Sequence, residues 1–262
     1  MELLLSNKVA VVTGAGRGLG AAIALRLASE GAKVVLAEKH NLQEAKDLVS
    51  VIERQSGEAV VLQADVSDPD SVSQLFGAAM SRFGTVDVLV NNAGIITRQS
   101  IIETGLEDWD RVIKTNLYGC YYCAREAVPL MRADGGGKIV NISSIHGKIA
   151  KAGVGAYGAT KAAIDMLTKQ LAVELAPHRI NVNAVAPGTI STEINLPLYK
   201  STRPEDLMLR NAVLRRVPAN RFGDPADIAN AVAFLASAAA DYITGAVLYV
   251  DGGYTADGTP RS

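Results

Sequence analysis

Long apolar runs and clusters of basic residues are scarce in this sequence. Only three consecutive leucines occur within residues 1–5, and Ser6, Asn7 and Lys8 end a run too short for a secretory signal. No long charge-free apolar stretch follows, so we expect a cytoplasmic protein without a membrane partner. The 26 Lys and Arg residues balance 27 Asp and Glu residues. Because no basic run could follow a phosphate backbone, nucleic acid is not an expected partner.

Cysteine is scarce too, and its only two copies form a C-x-x-C pair. Such a pair can mark redox or metal chemistry in a cytosolic protein. Cys120 and Cys123 lie inside an apolar, helix-like stretch at 117–128, with no second cysteine pair or histidine cluster nearby. We therefore interpret them as structural residues and expect no metal site.

The pattern of apolar residues predicts the fold class. The 262 residues are 48% hydrophobic and 20% charged, as in globular proteins, and a chain of this length can form one α/β domain spanning 1–262. Near-continuous apolar runs alternate with segments of helical period, which indicates parallel strands buried on both faces. The sequence predicts a doubly wound sheet of seven parallel strands with helices on both faces. The predicted strands are 8–13, 33–37, 59–64, 86–91, 138–143, 180–186 and 246–250.

Local signals mark several helices and one insertion. Ser67, Asp68 and Pro69 open a helix that ends at Gly84, and Pro177 stops a helix predicted over 156–176. A further helix is predicted over 106–132. The segment 189–217 breaks the alternation with two prolines and scattered charges. We expect this insertion to form a substrate lid around 196–214.

A glycine-rich turn, TGAGRGLG, follows the first predicted strand and precedes a helix-forming run at 21–29. Glycines allow a tight turn and close approach to a pyrophosphate, while the helix N-terminus favours the anion. Two registers fit a dinucleotide fingerprint: the glycines at 14, 18 and 20, or a G-x-G-x-x-A that starts at 16. The turn therefore predicts a Rossmann-type site for a dinucleotide. Its expected cofactor contacts are Gly14, Arg17, Gly18, Leu19 and Gly20.

An acid follows the second predicted strand, 18 residues beyond Gly20. There Glu38 could accept hydrogen bonds from both ribose hydroxyls and repel a 2′-phosphate, which favours NAD. Lys39 and Arg17 point the other way, because either cation could bind the 2′-phosphate of NADP. We expect NAD to be preferred over NADP. The structural alternative is that Glu38 only caps the next helix.

Tyr157 and Lys161 are four residues apart in a predicted helix and so share one face. A free tyrosine, with a pKa of about 10, is a poor base at neutral pH, but a nearby cation favours the phenolate. Polar groups also follow the fourth and fifth predicted strands, at 91–94 and 143–144. Ligands in doubly wound sheets bind outside the carboxyl ends of the strands, so these groups should converge.

Together these motifs resemble the short-chain dehydrogenase/reductase family over essentially the whole chain. TGAGRGLG, Asp65, NNAG at 91–94, Asn116, Ser144, YGATK at 157–161 and PGTIST at 187–192 follow the family's order and spacing. The resemblance implies reversible hydride transfer between a nicotinamide and a carbonyl or secondary-alcohol carbon. It therefore predicts an NAD(P)-dependent oxidoreductase that acts on CH–OH groups.

The resemblance also implies roles for individual residues. Tyr157 would be the acid/base, Ser144 rather than the adjacent Ser143 would hold the substrate oxygen, and Asn116 would hold a relay water. Lys161 would favour the phenolate of Tyr157 and grip the nicotinamide ribose. Further cofactor contacts would come from Asp65 and Val66 at the adenine, Asn92, Ala93 and Gly94 at the ribose, Pro187 and Gly188 in the last motif, and Ile190 and Thr192 at the carboxamide.

The substrate is less sharply predicted. Arg98 could reach the pocket mouth and bind a carboxylate or phosphate, or be a solvated loop residue, and His146 could bond a polyol hydroxyl or be structural. NNAGIITRQ and 216–228 resemble gluconate and related sugar-acid dehydrogenases, whereas 229–245 resembles 3-oxoacyl-carrier-protein reductases. Glu38 departs from the NADP-preferring pattern that is usual among those reductases. It therefore favours a sugar, polyol or sugar-acid dehydrogenase similar to gluconate 5-dehydrogenases, with the acyl-carrier-protein reductase as the alternative.

Two further expectations concern assembly and an inactive alternative. A dinucleotide-binding protein without catalysis would also use this fold, although the intact set of Asn116, Ser144, Tyr157 and Lys161 argues against it. The resemblance implies a homotetramer, in which the helices at 106–132 and 156–176 pair across one interface. The last strand and the glycines at 252–253 would lie near another interface.

Overall fold

The computed structural model describes residues 4–192 and 201–257. In these residues one parallel sheet has the strand order β3-β2-β1-β4-β5-β6-β7, which confirms the predicted doubly wound fold of seven strands. The strand boundaries agree with the prediction to within two residues. The strands are β1 (Val9–Thr13), β2 (Lys33–Glu38), β3 (Ala59–Gln63), β4 (Val88–Asn91), β5 (Gly137–Ile142), β6 (Ile180–Pro187) and β7 (Val247–Val250).

Helices cover both faces of the sheet. One core lies between the sheet and α1, α2 and α8, and the other lies beneath α3, α5 and α6. Strands β1, β4 and the inner part of β5 are buried on both faces, as their continuous apolar sequences predict. The helices are α1 (Gly18–Ser29), α2 (Leu42–Arg54), α3 (Pro69–Phe83), α4 (Leu106–Ile113), α5 (Gly119–Ala133), α6 (Gly155–Leu175), α7 (Pro204–Leu214) and α8 (Pro225–Ala236).

The ends of α3 follow the local signals in the sequence. The Asp68 carboxylate accepts a hydrogen bond from the backbone N–H of Asp70, and Pro69 occupies the first turn. Gly84 ends the helix in the left-handed conformation, with φ of 79°. Capping chemistry therefore sets the boundaries of this helix.

The single helix predicted over 106–132 is interrupted. A π-helical turn, Lys114–Tyr118, separates α4 from α5 and has Asn116 at its centre. Such turns occur mostly inside α-helices and often at functional sites, and the apolar periodicity does not show them. The turn brings Asn116 to a fully buried position against the loop that follows β4.

Polar side chains fasten α6 to the sheet. Thr168 Oγ1 accepts a hydrogen bond from Asn141 Nδ2 at 2.9 Å, and Asn141 Oδ1 accepts one from Asn91 Nδ2 at 2.9 Å. Asn91 and Asn141 are register partners in β4 and β5. Because these bonds are directional, they fix the register of α6 against the sheet more tightly than apolar packing alone could.

The predicted lid segment is described only in part. Residues 193–200, including Leu196, lie outside the described residues, and the remainder contains α7. Lid closure stays a prediction. Across 4–192 and 201–257, we find no helix with both the length and the apolar character needed to span a membrane.

Candidate active site

A cleft of about 570 Å³ opens at the carboxyl ends of the strands, above the junction of β1 and β4. This volume lies in the range typical of small-molecule and cofactor sites. The lining contains every residue predicted to contact a cofactor: Gly14, Arg17, Gly18, Leu19, Gly20, Glu38, Lys39, Asp65, Val66, Asn92, Ala93, Gly94, Tyr157, Lys161, Pro187, Gly188, Ile190 and Thr192.

The glycine turn forms a cradle that side chains would fill. Gly14 has a φ of +62°, and a Cβ atom on Gly20 would lie 2.1 Å from the carbonyl oxygen of Gly14. Helix α1 begins at Gly18 with neither a side-chain cap nor an acidic residue in its first turn. Its free N–H groups and positive helix end suit an anion. The cradle therefore fits the pyrophosphate of a nicotinamide dinucleotide.

Asn92 braces this cradle. Its Nδ2 donates hydrogen bonds to the carbonyl oxygens of Thr13 and Gly14, at 2.9 and 3.0 Å. The hydroxyl oxygen of Thr13 accepts hydrogen bonds from the backbone N–H groups of Asn92 and Ala93, both at 3.0 Å. Thr13 was not singled out by sequence, although its place at the end of β1 could have indicated it. The two loops that follow β1 and β4 are thus joined directly.

Glu38 is buried at the edge of the cleft and is bonded on both carboxylate oxygens. Oε2 accepts the N–H of Gly16 at 2.9 Å, and Oε1 accepts the N–H groups of Lys39, His40 and Asn41. Burial raises the pKa of this carboxyl, but the hydrogen bonds outweigh burial and the net pKa lies below its usual value. Glu38 is therefore ionised at neutral pH. It caps the segment before α2 and also faces the cleft, so the two interpretations of its role are compatible.

The two predicted cations differ in their surroundings. Lys39 Nζ lies 2.6 Å from Asp65 Oδ2. Burial raises the pKa of Asp65, but Lys39 and Ser67 hold it below its usual value. Arg17 is exposed on the cleft and forms no ion pair within the described part of the chain. Of the two cations, Arg17 is the one without a carboxylate partner.

Tyr157, Lys161 and Ser144 meet on the opposite wall of the cleft. Lys161 is only 4% exposed, and its Nζ donates a hydrogen bond to the carbonyl oxygen of Ile142 at 2.7 Å. The same nitrogen lies 5.4 Å from the ring centroid of Tyr157. Ser144 Oγ accepts the N–H of His146 at 3.2 Å, which orients the hydroxyl. A cation, a phenol and a hydroxyl thus share one wall.

Asn116 lies behind this wall rather than on it. Its Oδ1 accepts the N–H of Ile95 at 2.8 Å, and its Nδ2 donates to Ile95 O at 2.9 Å and to Thr160 Oγ1 at 3.1 Å. With these contacts the amide holds the loop after β4 against α6. The relay water at Asn116 remains a prediction.

The predicted substrate residues lie in different places. Arg98 is exposed on the lining of the cleft, close in sequence to Ile95 and Ile96, which also line it. His146 is not among the lining residues, and its Nδ1 lies 3.4 Å from the carbonyl oxygen of Ile149. Burial lowers the pKa of His146, so its ring is neutral at pH 7.

Other lining residues were missed by sequence, and the two cysteines lie apart from the cleft. Arg111 and Thr115 are four residues apart and so share one face of the helix predicted over 106–132, a pattern that could have indicated them. Cys120 and Cys123 are buried and free, and burial raises the pKa of Cys120 to about 11. The other lining residues without a predicted role are His40, Asn41, Ala64, Ser67, Ile95, Ile96, Ile142 and Ser143.

Comparisons with known proteins agree with this geometry. The family described as enoyl-(acyl carrier protein) reductase matches residues 14–255. The 3-oxoacyl-[acyl-carrier-protein] reductase FabG of Staphylococcus epidermidis is 42% identical over 247 residues, covering 94% of this chain and 98% of the relative. The 3beta-hydroxysteroid dehydrogenase 1 of Eggerthella lenta is 43% identical over 252 residues, covering 96% and 95%.

A solved structure extends the comparison to the fold. It comes from Agrobacterium tumefaciens, is proposed to be a 2-deoxy-D-gluconate 3-dehydrogenase and holds NADP. The two chains superpose with a TM-score of 0.87 at 41% identity, over 98% of this chain and 99% of the other. Proteins that are similar to this chain therefore carry names that refer to different substrates.

We expect Gly20→Ala to weaken NADH binding at least tenfold, because the new Cβ would meet Gly14 O at 2.1 Å and force the cradle open. Gly77→Ala is the matched control, since no heavy atom lies within 4 Å of its Cβ position in α3. Alanine favours helix, so the control should keep its affinity and its melting temperature or gain slightly. Fluorescence titration with NADH measures the effect, and equal affinities for the two variants would contradict it.

Proposed function

The chain belongs to the short-chain dehydrogenase/reductase family and is an oxidoreductase of that family, and we propose that its substrate is a sugar, polyol or sugar acid. The reaction would interconvert a secondary alcohol and a ketone. The observation that carries this proposal is the exposed guanidinium of Arg98 on the same cleft as Ser144 and Tyr157. Family membership leaves the non-catalytic alternative without support.

In the proposed mechanism the protein supplies position and a proton path. When bound, the nicotinamide supplies or accepts the hydride. Ser144 would hold the substrate oxygen, and the phenol of Tyr157 would give a proton to that oxygen during reduction or take one during oxidation. Lys161, held by the Ile142 carbonyl, would keep a positive charge beside the phenol and favour the phenolate. We assign its second role, in gripping the nicotinamide ribose, on the family resemblance.

We propose that NAD is preferred over NADP. Supporting this, the carboxylate of Glu38 is ionised and faces the cleft, where it would repel a 2′-phosphate. The ion pair with Asp65 also occupies Lys39. Against this preference stand the NADP held by the Agrobacterium structure and the guanidinium of Arg17, which forms no ion pair with the described residues.

A second candidate function is the reduction of a 3-oxoacyl group on a carrier protein. The 42% identity to the staphylococcal FabG over nearly the full length of both chains favours it. Arg17 would then bind the 2′-phosphate of NADPH and outweigh Glu38. This candidate differs from the first in both substrate and cofactor.

The two candidates predict different initial rates of nicotinamide oxidation. We expect the purified protein to reduce a keto-sugar acid with NADH faster than acetoacetyl thioester with NADPH. Each substrate is paired with each cofactor in turn. Tyr157→Phe is the control in every pairing, because it should bind cofactor normally and lose turnover. A faster thioester reaction with NADPH would support the second candidate, and substantial activity in Tyr157→Phe would refute the role of the phenol.

Arg98→Ala tests the substrate class directly. We expect the KM for a keto-sugar acid to rise about tenfold, which corresponds to roughly 1.4 kcal/mol of lost binding. The KM for a neutral ketose and the kcat for either substrate should change less than threefold. Arg132→Ala, at the exposed far end of α5, is the matched control. An unchanged KM for the acid in Arg98→Ala would refute the carboxylate contact.

We also propose a homotetramer. In support, α5 and α6 expose apolar side chains to solvent: Met166 and Val173 are 62% and 76% exposed, and Tyr121 is 47% exposed. Light scattering should give four times the mass of one chain. Val173→Glu should lower that mass if α6 lies at an interface, and a monomeric wild-type protein would contradict the proposal.

A further inference from the structure

A buried carboxyl group, that of Asp165, lies one turn beyond Lys161 on α6. Asp165 follows Tyr157 and Lys161 at the same four-residue spacing and is 9% exposed. Its Oδ1 is buried and has no hydrogen-bond partner within the described ranges. None of the ion pairs found there includes it.

The carboxyl contacts the chain on both sides of Ser144. On one side, the hydroxyl of Ser143 donates a hydrogen bond to the carbonyl oxygen of Lys161 at 3.3 Å, and it also lowers the pKa of Asp165 against the larger, opposite effect of burial. On the other side, Oδ2 faces the 3-10 turn Ile145–Gly147, and a Cβ on Gly147 would lie 2.6 Å from it. Asp165 therefore supports the end of β5 and the turn that follows it.

Charged and titratable groups surround this carboxyl on two elements. On the same helix, the positive charges of Lys169 and Lys161 lower the pKa of Asp165, although burial raises it more. Tyr249, on β7, also interacts electrostatically with Asp165. Burial is the main cause that raises the pKa of the Tyr249 phenol, and the charges of Asp165 and Asp251 raise it further. Lys148 lies 5.0 Å above the Tyr249 ring. No group in this set forms an ion pair with Asp165.

Stability does not account for a carboxyl in this position. Burial of a polar oxygen without a partner costs free energy, and apolar replacement of such groups is often neutral or stabilising. Thr168, one turn further along α6, is the contrasting case, because its hydroxyl both accepts from Asn141 and donates to Ile164 O. A costly group placed against catalytic elements points to a role in the reaction.

We propose that Asp165 is a positioning residue, which holds Ser143 and the turn Ile145–Gly147 against α6 and thereby fixes Ser144 relative to Tyr157. This proposal rests on the proposed roles of Ser144 and Tyr157. It concerns geometry rather than substrate choice, so it applies to either candidate substrate.

The test separates activity from stability. Asp165→Ala should lower kcat at least tenfold, leave the dissociation constant of NADH within twofold and keep or raise the melting temperature. Asp165→Asn should restore kcat to within threefold of wild type, because the amide keeps the size of the carboxylate and can still pack against Gly147 in the turn. Ile52→Val, in the core on the opposite face of the sheet from α6, is the control: loss of a buried methylene should lower the melting temperature and leave kcat within twofold. Retained kcat in Asp165→Ala, or parallel losses of kcat, melting temperature and NADH binding, would overturn the proposal.

A double-mutant cycle tests the route of the effect. If Asp165 acts through Ser143, the kcat loss of Ser143→Ala/Asp165→Ala should be smaller than the product of the single losses. A loss equal to that product would overturn this route. The assays use the alcohol or ketone that wild type converts fastest, so an error in the proposed substrate class leaves the test intact. Failure of the proposed role of Tyr157 would appear separately, as activity in Tyr157→Phe.

Discussion

The hydrogen bonding of β1 to both β2 and β4 is the constraint on which the rest of the structure depends. All three strands are parallel, so the chain leaves β1 and β4 toward opposite sides of the sheet and a cleft opens between the two loops. Thr13, at the end of β1, closes the base of this cleft by accepting hydrogen bonds from the loop after β4. The glycine cradle and the wall that carries Tyr157 and Lys161 therefore share one rigid foundation.

Helix α6, which carries Tyr157 and Lys161, is held to that foundation by polar contacts. On α6, Thr160 bonds to Asn116, Lys161 to the Ile142 carbonyl and Thr168 to Asn141. Burial of apolar surface would hold the helix near the sheet without choosing a register, since that force has no direction. Hydrogen bonds have geometric limits of a few tenths of an ångström, so they fix where Lys161 and its neighbour Tyr157 stand. The buried carboxyl of Asp165 lies on the same face of α6, but its Oδ1 has no hydrogen-bond partner in the described residues. This sets it apart from Thr160, Lys161 and Thr168.

Most of the predicted lining of the cleft came from the family resemblance, whereas the sequence itself predicted the strands and the glycine turn because each depends on local pattern. It could not predict side-chain partners that are distant in the chain. The braces from Asn92 to Thr13 and from Asn116 to Ile95 join segments separated by 79 and 21 residues. The π-helical turn around Asn116 was missed because its apolar spacing is that of an ordinary helix. His146 follows Ser144 closely, yet the turn between them directs its ring toward Ile149.

Cofactor choice illustrates why a single residue is a poor guide to specificity. Glu38 is the acid expected at the ribose, but its carboxylate also bonds the N–H of Gly16 and the chain that leads into α2. Replacing it to admit a 2′-phosphate would remove a repulsive charge and would also release the glycine turn that we propose to cradle the pyrophosphate. Lys39 is coupled in the same way, because it forms an ion pair with Asp65 on the lining of the cleft. A change of cofactor preference would therefore require a new acceptor for the Gly16 N–H as well as a cation for the phosphate.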